Sequence, residues 1–174
     1  SINEKAKKID KISYEEMLEM SSLGAKVMQP SAVQVSMINN IPVHVRSTFS
    51  KKSGTKIVSE DEFDHNKAVT GITYSKSNAK VSIVGVVDKP GVAADVFEPI
   101  GKNNINVDMV IQNTSMDGKT ANITFTIKQQ DLNKTLDIIE KNKEKLNYNK
   151  VIHDDKLAKV SIIGAGMISS PGVT

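Results

Sequence analysis

Two seven-residue stretches of this chain repeat 79 residues apart. Residues 79–85 read Ala-Lys-Val-Ser-Ile-Val-Gly and residues 158–164 read Ala-Lys-Val-Ser-Ile-Ile-Gly, identical at six of seven positions. Each copy then reaches Pro-Gly-Val, at Pro90-Gly91-Val92 and at Pro171-Gly172-Val173. Agreement of that length points to two copies of one module, and a repeated unit narrows the choice of fold more than composition does. Only the first copy has room to be complete. The chain starts without Met and stops at Thr174, where a second helix is due, so both ends are read as cut.

The first copy parses into alternating elements. Residues 79–87 are rich in β-branched residues and stop at Asp88-Lys89-Pro90-Gly91, a turn signal with Pro placed to open a helix. Val92, Val96, Phe97 and Ile100 follow at helical spacing, with Asp95, Glu98 and Lys102 on the other face. Gly101 and Asn103-Asn104 mark the helix end. Ile105, Val107, Met109 and Ile111 then alternate as in a half-buried strand, and Asp117-Gly118 signals a hairpin turn. Ala121, Ile123, Phe125 and Ile127 give a second strand of period two. Leu132, Leu136, Ile139 and Leu146 mark one face of a helix over 131–146, and a short strand near 149–154 closes the unit. The order β-α-β-β-α-β is the ferredoxin-like split βαβ arrangement, an α+β fold with helices on one sheet face and the other face free for a partner module.

Upstream, Ser13 with Glu16 at the third helical position forms a capping box for a helix over 13–23, and Gly24 stops it. Pro30 opens a second helix to about Asn39, and Pro42–Arg46 reads as a strand, so residues 1–57 look like the end of an α/β domain. Residues 50–66 are polar, charged and without apolar periodicity, which predicts a loop, with the linker proper at 58–66. A further strand is expected at 67–77, belonging to the second module. The first module is placed at 78–156 and the truncated start of the second at 157–174.

Composition removes several functions. Cysteine is absent, so disulfides and thiolate metal sites are excluded. His44, His65 and His153 have no metal-ligand spacing. No apolar run reaches the ~20 residues of a membrane span, and no signal-peptide core opens the chain, so a cytoplasmic location is the default. A net charge of +3 and 4% aromatics argue against nucleic acid; the two central strands offer only Phe125 for base stacking, and it faces the predicted core. Lys5, Lys7, Lys8 and Lys11 cluster, as either a solvated face or a phosphate-facing patch. Gly164-Ala165-Gly166 lacks the third glycine of a dinucleotide fingerprint, and no Gly-rich loop ends in Gly-Lys-Ser/Thr. Met17, Met20, Met28 and Met37 sit at core-like positions.

Longer stretches then become specific. Ser13-Tyr14-Glu15-Glu16-Met17-Leu18-Glu19-Met20, Leu23-Gly24-Ala25-Lys26-Val27, Pro30, Pro42-Val43-His44-Val45-Arg46-Ser47-Thr48-Phe49 and Gly54-Thr55 resemble the end of an aspartate kinase catalytic domain. Asp88-Lys89-Pro90-Gly91-Val92-Ala93-Ala94 and Ile105-Asn106-Val107-Asp108-Met109-Val110-Ile111-Gln112-Asn113 resemble that family's first ACT module. Gly164-Ala165-Gly166-Met167 with Ser170-Pro171-Gly172-Val173 resembles the opening of its second. Gln29 departs from the family's usual His before Pro30, and the family's N-terminal Lys-Phe-Gly-Gly motif is not in this sequence. The resemblance implies a parent enzyme that uses ATP and Mg to phosphorylate the aspartate side-chain carboxylate. It assigns no catalytic residue, metal ligand or cofactor to this chain.

For the chain itself the resemblance implies a feedback sensor of lysine, with threonine as second candidate, working as a homo-oligomer through its ACT modules. An amino-acid effector needs donors for its carboxylate and an anion for its ammonium. The helix opening at Pro90-Gly91-Val92-Ala93 supplies backbone N–H groups, and Gly91 admits close approach. Asp88 or Asp108 can face the ammonium, while Gln112 and Asn113 offer amide groups. Asn106 and Val107 join this set by resemblance. Plainer roles stand beside these: Asp88 as a helix or turn cap, Gly91 as a turn glycine. Asp108 is harder to explain that way, because strands disfavour Asp. A free-standing regulatory subunit and an inactive remnant are the alternative readings.

Overall fold

The computed structural model describes residues 5–62, 68–115, 118–169 and 172. The chain divides into two compact units, Ser1–Ser75 with Val160–Thr174, and Lys76–Lys159.

In the first unit the elements are β1 (Lys11–Ser13), α1 (Tyr14–Ser22), α2 (Pro30–Ile38), β2 (Val43–Val45) and β3 (Thr55–Val58). The strands form a sheet in the order β1-β3-β2, with β1 parallel and β2 antiparallel to β3. Ser13 caps α1 as expected: its Oγ accepts from the Glu16 N–H at 3.2 Å. Gly24 follows with φ of +122°, and an added Cβ would meet the Tyr74 carbonyl oxygen at 2.6 Å. Pro30 opens α2 at its first position, where a missing N–H costs nothing. Ile12, Tyr14, Met17, Val33 and Ile57 make the core, and Met20, Met28 and Met37 pack against it.

The loop expected over 50–66 is instead interrupted by β3 and a 3-10 turn at Glu60–Glu62. Val58, taken as the first linker residue, is the last of β3 and is buried. Four residues are too few for a period-two signal. A central strand with both Ile57 and Val58 buried has no alternation to read. β1 was not foreseen for the same reason.

The second unit is built on Lys76–Val87 of β4 (Gly71–Val87), α3 (Val92–Lys102), β5 (Val107–Thr114), β6 (Thr120–Lys128), α4 (Leu132–Lys141), α5 (Lys143–Leu146) and Lys150–Lys159 of β7 (Lys150–Ile163). Its sheet order is β5-β6-β4-β7, so the two crossover connections place the first and third strands side by side, as the ferredoxin-like arrangement requires. Val81, Ile83, Val86, Ile123, Phe125 and Ile127 from the sheet meet Val92, Val96, Ile100, Leu132, Ile139 and Leu146 from the helices. Phe97 closes on Phe125 edge to face, with centroids 5.3 Å apart.

Several boundaries move. The strands expected at 67–77 and 79–87 are one 17-residue strand, because Asn78 pairs with Lys128 and the ladder overrides a weak local turn preference. The strand near 149–154 likewise runs on to Ile163. The helix over 131–146 divides at Asn142 into α4 and α5. On β5 the alternation fails: Met109, Val110 and Ile111 are all exposed. A register shift between Val107 and Val110 breaks the period, and β5 lies at the sheet edge. Asp117, Pro171 and Val173, and His65, lie outside the described residues.

Candidate functional site

The opening of α3 is the best-formed candidate. β4 ends at Val87, and Asp88 then donates its N–H to the Lys119 carbonyl oxygen at 2.9 Å. Pro90 precedes the helix and does not open it. Gly91 is the N-cap, with φ of +88°, a left-handed conformation that glycine adopts without strain. No side chain caps this end of α3. An added Cβ at Gly91 would meet nothing within 4 Å, so the approach at this residue is open, although the Val92 N–H is already donated to the Lys89 carbonyl oxygen at 3.1 Å. Val92 is buried under the sheet and orients the helix, while Ala93 is half-buried beside the opening.

Charge around this end is balanced. Asp95 accepts from Lys145 at 2.8 Å and pairs with Lys89 at 3.4 Å. The Lys145 hydrogen bond, opposed by desolvation and helped by Lys89, holds the Asp95 carboxyl below the usual carboxylate range. Lys145 is correspondingly held above the usual lysine value by Asp95. With Asp88 exposed nearby in sequence, two carboxylates and two ammonium groups border the helix opening, a balance that suits a zwitterion. Thr114 at the end of β5 reaches the Asp88 carboxylate at 3.5 Å, so Asp88 is tied to the sheet edge rather than capping the helix. Gln112 and Asn113 occupy the same end of β5 and are exposed.

The remaining sequence-derived residues lie elsewhere. Asn106, Val107 and Asp108 follow the other end of α3. Eleven helical residues separate the two ends, about 16 Å at 1.5 Å per residue. Asp108 is six residues from Thr114 along β5, about 20 Å at 3.3 Å per residue. One free amino acid cannot touch the α3 opening and Asp108 of the same chain. The Asp108 carboxylate is instead paired with Lys159 of β7. Sequence reading missed Lys159, because nothing local marks a contact 51 residues away. Among the described residues no group of three or more His, Asp or Glu side chains gathers as a metal site, and no helix is long and apolar enough to cross a membrane.

The architecture defines the class: a ferredoxin-like βαββαβ unit in one chain with a small three-stranded α/β sheet. The ACT domain model matches residues 81–142, and the model of the amino acid kinase family matches residues 1–47. The aspartokinase of Corynebacterium glutamicum is 41% identical over 172 residues, covering 97% of this chain and 41% of that protein. The crystal structure of the regulatory subunit of aspartate kinase from Thermus thermophilus, ligand-free, is 34% identical with a TM-score of 0.57, covering 62% of this chain and 70% of that one. The Escherichia coli aspartokinase III structure in complex with lysine and aspartate, in the T-state, shares the fold at 24% identity and a TM-score of 0.65, over 91% of this chain and 34% of that one. The chain belongs to the aspartokinase family. It spans about 41% of the length of the curated relatives it matches.

Proposed function

We propose that this chain is the amino-acid-sensing part of an aspartate kinase, and that it binds lysine, with threonine as second candidate. The parent activity in this reading is ATP-dependent phosphorylation of the aspartate side-chain carboxylate, on the route to lysine, threonine and methionine. In this reading ATP and Mg act in the catalytic part of the parent enzyme.

The observation that carries the reading is the open, uncapped N-terminus of α3 beside balanced charges. Its N–H groups and positive dipole end receive the effector's carboxylate. The separation of Asp108 from that opening gives the site its architecture. If Asp108 takes the ammonium, it does so from a second copy of the chain, and the effector then lies between two modules. The exposed apolar residues of β5, Met109, Val110 and Ile111, support such pairing of edges. The strand over 67–77 is in this reading part of the second module; residues 68–75 and 160–169 group in one unit.

Calorimetric titration with lysine, then threonine, with aspartate as control, tests the reading. Saturable binding of one of them, lost in Asp108→Ala and weakened in Gly91→Ala, is the expected result. A folded sample that binds neither refutes it and leaves the chain a remnant without effector binding.

A further inference from the structure

Lys159 is an ammonium group already seated where the proposed reading puts the effector's ammonium. It lies on β7, one edge of the four-stranded sheet, while Asp108 is on β5 at the other edge, yet the two side chains form an ion pair. A pair that spans a sheet is not forced by neighbouring register. It requires the long lysine side chain to be spent on one carboxylate. Both partners stay in reach of water, with side chains 26% and 43% exposed, so a solute cation can compete for the carboxylate. An exposed pair of this kind is held only weakly.

We infer that Lys159 is an internal counter-ion that occupies Asp108 in the effector-free chain and must leave it when the ammonium of a bound amino acid arrives. The inference rests on Asp108 being the ammonium ligand. Its consequence is regulatory: Lys159 raises the effector concentration needed to fill the site, and it keeps the Asp108 carboxylate from standing uncompensated when the site is empty. Other small cations are held off by the same contact. Salt weakens the internal pair and the effector contact together, so the competition is clearest at low ionic strength.

The test is calorimetry of lysine binding to the native chain, Lys159→Met and Asp108→Asn at low and at moderate salt. Methionine keeps most of the length and packing of the side chain and removes only the charge. The expected result is binding about 2–5-fold tighter in Lys159→Met, the range that an exposed ion pair sets, with the gain shrinking as salt rises. Asp108→Asn should lose most of the affinity whether or not Lys159 is present. Equal or weaker binding by Lys159→Met, with Asp108→Asn still defective, overturns the counter-ion role and leaves Asp108 as ligand. Unchanged binding by Asp108→Asn refutes the placement of the ammonium itself. No heat with any of the three proteins refutes effector binding by this chain, and the inference with it. Circular dichroism and sizing of each variant separate misfolding from these outcomes.

Discussion

Removing the Glu16 carboxylate should loosen the first unit by an amount that the structure bounds. Glu16 is 2% exposed, and its Oε1 accepts from the Thr70 hydroxyl at 2.7 Å and from the Ala165 N–H at 2.9 Å. These partners lie 54 and 149 residues away, so one side chain ties α1 to two distant segments of the same unit. Its other oxygen is buried with no partner among the described residues. Losing an acceptor for a buried donor costs roughly 1–3 kcal/mol, and bonds to a charged group lie in the upper half of that range. Thr70 and Ala165 are only half-buried, and water can reach them once the carboxylate is gone. Deleting a buried charge with one bare oxygen also returns some desolvation energy. Glu16→Ala should therefore cost about 1–3 kcal/mol. Glu16→Gln keeps the accepting oxygen and should cost about half as much. In urea unfolding followed by circular dichroism, the midpoint should fall with little change in slope. The Ala165 amide should exchange faster in both variants, and the cycle with Thr70→Val should show coupling of about 1 kcal/mol. A Glu16→Ala protein within ~0.5 kcal/mol of the native chain, with Ala165 exchange unchanged, would refute the reasoning, since it falls below the smallest of these values.

Four further outcomes follow from packing and titration. Phe125→Ala removes a fully buried ring from the sheet–helix core, and should cost about 3–5 kcal/mol by chemical unfolding. Gly164→Ala should fail to fold its unit normally, because the new Cβ would lie 2.1 Å from the Ala68 carbonyl oxygen. Gly91→Ala, with φ of +88° but open space around it, should cost only about 1 kcal/mol in unfolding experiments. Burial, and then the hydrogen bond to Glu140, push the Tyr148 phenol up to about 12 from 10.0. The folded chain then holds this proton where the unfolded chain releases it. The contribution is complete below about pH 10 and is lost as pH rises toward 12. Burial also raises the Tyr14 phenol, so an ultraviolet phenolate titration should show a late component that is reduced, not abolished, in Tyr148→Phe.

How much of this was legible in the sequence depended on length and periodicity. The helix openings at Ser13 and Pro30 and the inward face of β6 were readable because caps and period-two alternation are local signals. The βαββαβ order was readable because each element was long enough to show its period. β1 and β3 were not, being three and four residues long and stabilised by partners distant in sequence. The two halves of β4 read as separate at a weak polar interruption, where the strand runs on and the β6 ladder begins at Asn78 and Lys128. For the site, Gly91 and the α3 opening were visible as a Pro-Gly turn before a helical pattern. That Asp108 falls at the far end of α3, and that Lys159 holds it, required the fold, because both are long-range facts. Glu16 was seen as half of a capping box, and only the folded chain shows its carboxylate turned instead to Thr70 and Ala165.

The most direct test of the central claim is amide chemical-shift mapping of the isotope-labelled chain during titration with lysine. If the α3 opening receives the carboxylate and Asp108 the ammonium, shifts should concentrate at Gly91, Val92 and Ala93 and at Asp108, two clusters at opposite ends of α3 moving with one binding curve. That curve should steepen with protein concentration, as a site shared between two copies requires. Shifts scattered over the surface, or confined to segments away from both clusters, would contradict the account.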